Sequence, residues 1–526
     1  MYSSFRNKSN KDSMESHHEN EAVMPRQNGH SVGLQFVLPV LDHNWLSVKS
    51  EEKTLELVSF PRQKHDLHPW KFKAIYGLNL LHSYHHCLYA SLEWNISGIL
   101  LDIQQYFSLS DGEAGLLHTV FILCYMLAAP FFGYLGDRYN RKIILGAGIF
   151  FWSVVTLGTS FISESYHWIF FLSRGLVGIG TASYSTVAPT IIADQFDEGK
   201  RTTMLSVFYI CIPVGSGLGY VLASGMAGVT GDWHWAFRVT PCLGGIALVL
   251  LIKLVPHKIQ RRTEAHRALS ISGTIRVAAE KPGVQRSAKT TWWQDVISLG
   301  KNCSFVWSSL GLTAMAFVTG ALGVWVPMFL HRAQVVQGTV SPCLEKSCSL
   351  SNSLIFGGIT IGTGILGVIA GAEAARRLRK INNRADPLIC ATSMFVSALC
   401  LFIALMMAQR NITSTFIFIA FGELFLSANW AVVTDILLYV VTPRRQSTAI
   451  ALQILVSHLL GDAGSPYLVG TISNVIQAKN NHSVQWSFRS LQYSFIICVF
   501  VGVIGGGFFL LTSFYVEDDR KEAEKL

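Results

Sequence analysis

The stretch Gly133-Tyr-Leu-Gly-Asp137-Arg138-Tyr-Asn-Arg141-Lys142 returns 238 residues later as Gly371-Ala-Glu-Ala-Ala375-Arg376-Arg-Leu-Arg379-Lys380. Both copies follow the pattern G-x-x-x-(D/A)-R-x-x-R-K, and each trails an apolar run long enough to cross a bilayer. One basic loop is an ordinary topology signal. Two matched copies half a chain apart indicate an internal duplication. A small residue at Gly133 and Gly371 lets a neighbouring helix approach closely, and charges at a helix end can tie two helices together while their heads reach water. A tie made in one conformation and broken in another is a gate. Gly133, Asp137, Arg138, Arg141 and Lys142, with Gly371, Arg376, Arg379 and Lys380, are therefore gating candidates. Ala375 replaces the acid in the second copy, which predicts an asymmetric gate.

Outward from these loops, the 526 residues are 50% hydrophobic and 14% charged, against about 25% charged in soluble domains. That composition excludes a soluble enzyme, a disordered protein and a nucleic-acid-binding module. Eleven apolar spans run from 114–135 to 494–515, and a more polar one precedes them over 72–101, carrying Lys73, His82, His85, His86 and Glu93. The expected fold is an all-α membrane protein with twelve transmembrane helices in two six-helix halves. Its expected parts are a polar tail (1–70), an N-terminal half (71–255), a basic linker (256–301), a C-terminal half (302–515) and a short tail (516–526).

Loops on the side of Arg138 and the linker hold 21 Lys/Arg, and the opposite loops hold five. This bias predicts that both termini are cytoplasmic. The net charge of +9 then reflects topology and contact with anionic lipid heads, not nucleic acid. Most cysteines sit in apolar runs; Cys343 and Cys348 share a polar loop on the outer side where a bridge is open to them. Of the sequons, Asn411-Ile-Thr413 and Asn481-His-Ser483 fall on the outer side, Asn95-Ile-Ser97 falls inside the first helix, and Asn302-Cys-Ser304 faces the cytoplasm. His82, His85 and His86 have helical spacing but no acidic or cysteine partner to match, so neither a metal nor any cofactor is expected. No glycine-rich run is followed by the Lys-Ser/Thr of a phosphate loop.

Ionisable groups within spans are costly and belong on the bundle interior. Arg174, Arg238, Glu423, Asp435, His458 and Asp462 are such groups. Asn429 and Trp430 lie six and seven residues beyond Glu423, on roughly its face, and His458 and Asp462 are four apart and share another. Each of these groups is open to a structural reading, as an ion pair between helices, or to a substrate reading.

Two six-span halves with a basic signature after the second span of each resemble the major facilitator superfamily of secondary transporters. Three stretches resemble its spinster family of lipid transporters: 133–142, Ala182-Ser-Tyr-Ser-Thr-Val-Ala-Pro-Thr-Ile-Ile-Ala-Asp194, and Ser457-His-Leu-Leu-Gly-Asp-Ala-Gly-Ser-Pro-Tyr467. The resemblance implies alternating-access transport of a sphingolipid such as sphingosine-1-phosphate, or of a lysophospholipid. It implies a site in the plasma or endolysosomal membrane, a lipid and the bilayer as partners, and one chain sufficing. It also implies a cavity lined by Glu423. The substrate-binding candidates are Glu423, Asn429, Trp430, Thr181, Tyr184, Arg238, His458 and Asp462, and the coupling candidates are Glu93 and Glu423. The chain departs from the family pattern twice. The first-span Asp-Arg pair reads Leu92-Glu93, and Thr181 stands where a fourth-span glutamate is usual, which predicts weak proton coupling. A transport-deficient receptor or scaffold derived from such a carrier is the alternative reading.

Overall fold

The structure is a computed structural model that describes residues 83–84, 87–88, 90–91, 93–195, 198–254, 292–341, 350–442, 445–480 and 483–525. The expectations for the N-terminal tail, His82, His85, His86, the Cys343–Cys348 loop and Asn481 fall outside these residues. The described chain is all helical: residues 93–98, then α1 Leu100–Phe107, α2 Asp111–Arg138, α3 Arg141–Thr159, α4 His167–Gln195, α5 Glu198–Thr230 and α6 His234–Leu254. After the linker come α7 Trp292–Lys301, α8 Cys303–Gln337, α9 Leu350–Leu378, α10 Ala385–Met407, α11 Ile412–Ser427, α12 Asn429–Val440, α13 Gln446–Ser457, α14 Ser465–Ala478, α15 Val484–Ser494 and α16 Ile496–Lys525. Among the described residues nine helical segments are long and apolar enough to cross a membrane, so the architecture is an all-α, multi-spanning bundle.

Local sequence explains the breaks. Ser110 opens α2 with a capping box: its hydroxyl accepts from the Glu113 amide while the Glu113 carboxylate accepts from the Ser110 amide. Between α11 and α12 the helix breaks at Ala428. The Asn429 side chain donates back to the carbonyls of Phe425 (3.2 Å) and Leu426 (3.1 Å), and such back-bonding bends helices. Between α13 and α14, residues His458–Asp462 form one π turn, closed by the Ala463 amide on the His458 carbonyl, just before Pro466, which has no amide hydrogen to donate.

Helix α8 is buried on nearly all sides and is the axis of the larger core, where Trp325 and Phe329 meet Phe488, Phe495 and Phe509. A smaller core of Phe121, Trp152, Val177 and Tyr184 joins α2, α3 and α4. The two chain halves meet along α2 against α14 and α5 against α9. At the first crossing a Cβ on Gly115 would collide with the Pro466 carbonyl, so only glycine permits that approach.

Candidate functional site

The centre of the bundle gathers charged groups from four segments: Glu93 before α1, His118 on α2, Arg174 on α4, and His458 with Asp462 on the π turn. Arg174 is only 2% exposed, its guanidinium lies 5.3 Å over the Phe121 ring, and its Nε and Nη1 groups have no hydrogen-bond partner. His118 is 7% exposed, stacks on Trp94 at 5.1 Å, and leaves Nε2 without a partner. Arg174 is within electrostatic reach of Glu93, and His118 within reach of Asp462, Arg174 and His458. A buried polar atom left unsatisfied costs about 1–3 kcal/mol. Arg174 and His118 thus each keep a buried polar atom without a protein partner, within electrostatic reach of one another.

Around this cluster the walls are aromatic and span both halves. Trp94 abuts Gly323 of α8, where a Cβ would strike the indole ring. Tyr220 of α5 donates its hydroxyl to the Gly323 carbonyl at 2.6 Å and packs edge-on to Phe356 of α9 at 5.1 Å. On the C-terminal side Glu423 accepts from the hydroxyls of Thr360 (3.3 Å) and Thr363 (3.2 Å) of α9. Tyr220 is within electrostatic reach of both Glu93 and Glu423. His458 Nδ1 meets Asp462 at 2.8 Å, and Tyr125 stands edge-on to the imidazole.

Other substrate candidates land elsewhere. Thr181 is buried with its hydroxyl donated to the Val177 carbonyl at 2.7 Å, a bond within its own helix. Tyr184 belongs to the smaller core. Asn429 is buried at the α11–α12 break and spends its amide on the backbone, whereas Trp430 beside it is exposed. Arg238 is one turn inside the start of α6, between the rings of Phe161 and Trp235 and remote from the central cluster in sequence register. A helical period assigns the face of a residue on its own helix, but not what that face meets.

The two copies of the basic repeat meet different surroundings. Among the described residues no atom of a neighbouring element lies within 4 Å of where a Gly133 Cβ would be, whereas Gly371 lies against the Ala428 carbonyl at the α11–α12 break. Arg141 Nε donates to the Gly136 carbonyl and Lys142 Nζ to the Ile252 carbonyl at the end of α6, both at 2.9 Å. The side chains of Asp137 and Arg138 lie outside the described residues. In the second copy Arg376 and Arg377 pair with Glu373, and Lys380 is exposed. Ala375 leaves no acid in place, yet Arg379 finds two: Asp386 at 2.7 Å and Asp435 at 2.5 Å. These ties lie within one half.

A clamp between the halves sits at the opposite end. Asp111, 5% exposed, takes both Nη groups of Arg332 on α8 at 2.6 and 2.9 Å. It also accepts from Ser473 (2.7 Å), Gln477 (2.9 Å) and Gln104 (3.1 Å). Neither residue stands out in sequence: Arg332 counts there only among the five basic residues of the outer loops. His118 was likewise hidden, as a lone histidine in an apolar run. Of the sequons, Asn95 is buried, bonding Thr240 at 2.9 Å, and Asn411 caps α11 at the surface.

Among the described residues, nine apolar helices around a buried charged cluster, with the two chain halves clamped at one end, define a multi-spanning membrane protein. The chain belongs to the Major Facilitator Superfamily, whose profile matches residues 86–466. Across most of its length it is closely related to spinster homolog 3: it is 56% identical to the mouse protein over 82% of this chain and 81% of that one, and 54% identical to the human protein over 81% of each. Mouse spinster homolog 1 is 53% identical over 82% of this chain and 79% of its own length. In fold it is similar to a bacterial homologue of the human lysosomal transporter spinster, solved inward-facing and unoccupied, with TM-score 0.68, 18% identity and coverage of 86% of this chain and 98% of that one. A D-xylose–proton symporter gives TM-score 0.59 at 16% identity over 83% of this chain and 97% of that one. The chain is a secondary transporter.

Proposed function

We propose that this transporter moves an amphiphilic lipid carrying an anionic head, a sphingolipid such as sphingosine-1-phosphate or a lysophospholipid, by alternating access between two six-helix halves. The observation that carries the reading is the buried Arg174, which keeps two unpartnered N–H groups within electrostatic reach of His118, itself with an unpartnered ring nitrogen. A phosphate supplies the acceptors these groups lack, and the walls formed by Trp94, Tyr220 and Phe356 suit an acyl or sphingoid tail. Glu423, facing this region from the C-terminal half, is the partner for an ammonium group on the same head. The Asp111–Arg332 clamp closes the outer end, the basic loops mark the cytoplasmic end, and both termini are cytoplasmic, in the plasma or endolysosomal membrane. Gating at the cytoplasmic end falls to Asp137, Arg138 and Arg141. Lipidomics of cells with and without the protein tests the reading: a rise in intracellular and a fall in released lysolipid on its removal supports transport, and unchanged pools contradict it.

A further inference from the structure

Arg238 sits where a transporter has no evident use for a cation, on the membrane-facing stripe of α6. The exposed positions of that helix include Trp235, Cys242, Ile246, Val249 and Ile252, and Arg238 lies in register with them. Its guanidinium is 5.3 Å from the Phe161 ring and 5.1 Å from the Trp235 ring, and its Nε lies 3.4 Å from Ser160 Oγ, a long contact. Both rings face outward, Phe161 being 71% and Trp235 43% exposed, and Tyr166 and Trp168 add two more exposed aromatics at the same level. Asp232 is within electrostatic reach, but its Oδ1 is held by His234 at 2.5 Å. Among the described residues no carboxylate bonds Arg238.

A cation at this depth must be neutralised or drawn to the headgroups. Ring faces offer only a weak attraction to the planar faces of the guanidinium. The Nη edge still needs acceptors, and the bilayer supplies them as lipid phosphates. Below the cation, Gly244 lets α6 press against Ser153 and Trp152 of α3, and the shallow seam so formed is edged by exposed Val154 and Leu157 on one side and Ile246 and Val249 on the other. That seam fits an acyl chain hanging from a phosphate above it.

We propose that Arg238, Phe161 and Trp235 form a binding site on the outer surface of the bundle for one membrane phospholipid of the leaflet opposite the basic loops. It is a structural lipid held by its phosphate, separate from the central cluster. Native mass spectrometry of the purified full chain, titrated with dioleoyl phosphatidylglycerol or with dioleoylglycerol, which has no phosphate, tests this. The wild type is expected to hold one phosphatidylglycerol at least about tenfold more tightly than dioleoylglycerol, equivalent to about 1.4 kcal/mol or more. Arg238→Gln should erase that preference, and Arg410→Gln, at an exposed arginine of the same face, should leave it intact. Phe161→Leu and Trp235→Leu should each weaken it without removing the charge. Equal binding of the two lipids by the wild type, or an undiminished preference in Arg238→Gln, overturns the proposal. The wild-type comparison decides the matter even where a variant fails to fold.

Discussion

Asp111 on α2 and Arg332 on α8 form a bidentate ion pair, 2.6 and 2.9 Å, that joins the two halves of the chain at one end of the bundle. Three further donors on the same carboxylate, from Ser473, Gln477 and Gln104, satisfy its remaining lone pairs, which is what a buried charge requires. An opening of this end must part Asp111 from Arg332 and from α14 together.

Asp111→Asn should therefore favour the state open at this end. Hydrogen bonds to charged groups contribute about 1.5–3 kcal/mol, which predicts a shift of roughly ten- to hundredfold in the equilibrium. Distance distributions between spin labels on α2 and α14 would read it. The reversed pair, Asp111→Arg with Arg332→Asp, should recover part of the closed population, and a clamp variant with a wild-type distribution would show that the pair does not control closure.

The Trp94–Gly323 contact predicts a non-additive pair. Gly323→Ala places a methyl group into the indole ring and should force the halves apart, lowering thermal stability and transport together. Trp94→Leu in the same chain should relieve the collision. Stability of the double variant no better than that of Gly323→Ala alone would locate the strain elsewhere.

Glu423→Gln keeps acceptors for Thr360 and Thr363 but loses the charge. It should abolish transport while surface expression stays near wild type. Loss of the protein from the membrane would make the residue structural. Ala375→Asp, by contrast, should lower folded yield, because Ala375 is buried and an uncompensated charge there costs several kcal/mol.

Much of the fold was legible in the sequence. Span length and the duplicated basic loop depend on local composition, and they pointed to a multi-spanning carrier of this superfamily before any contact was known. Of the candidate site, Glu423 and the His458–Asp462 pair could be singled out in the sequence as charged groups deep in apolar spans, the pair four residues apart on one helix face. Arg174 was noticed as an interior charge but not placed in the site. Thr181 and Arg238 lie apart from the central cluster for one reason. A span assigns depth and face, whereas the neighbour met by that face is set by crossings such as α2 on α14. Asp111 and His118 escaped because their roles exist only between elements distant in sequence.

Transport should depend only weakly on a proton gradient. Thr181, in place of a titratable fourth-span acid, bonds its own helix and can carry no proton between sides. Release of a labelled lysolipid should persist when an ionophore collapses the gradient. A fall to background would instead make Glu93 or Glu423 the proton carrier.

The central claim is that Arg174 receives the anionic head of a lipid. Purified protein reconstituted into liposomes, with efflux of labelled sphingosine-1-phosphate and lysophosphatidylcholine followed over time, tests it most directly. The wild type should accelerate efflux of at least one of these lipids over protein-free vesicles. Arg174→Gln should remove that acceleration, Arg174→Lys should retain part of it, and equal reconstitution of all three should be verified by gel. Efflux by Arg174→Gln at the wild-type rate, or no acceleration of either lipid by the wild type, would contradict the account.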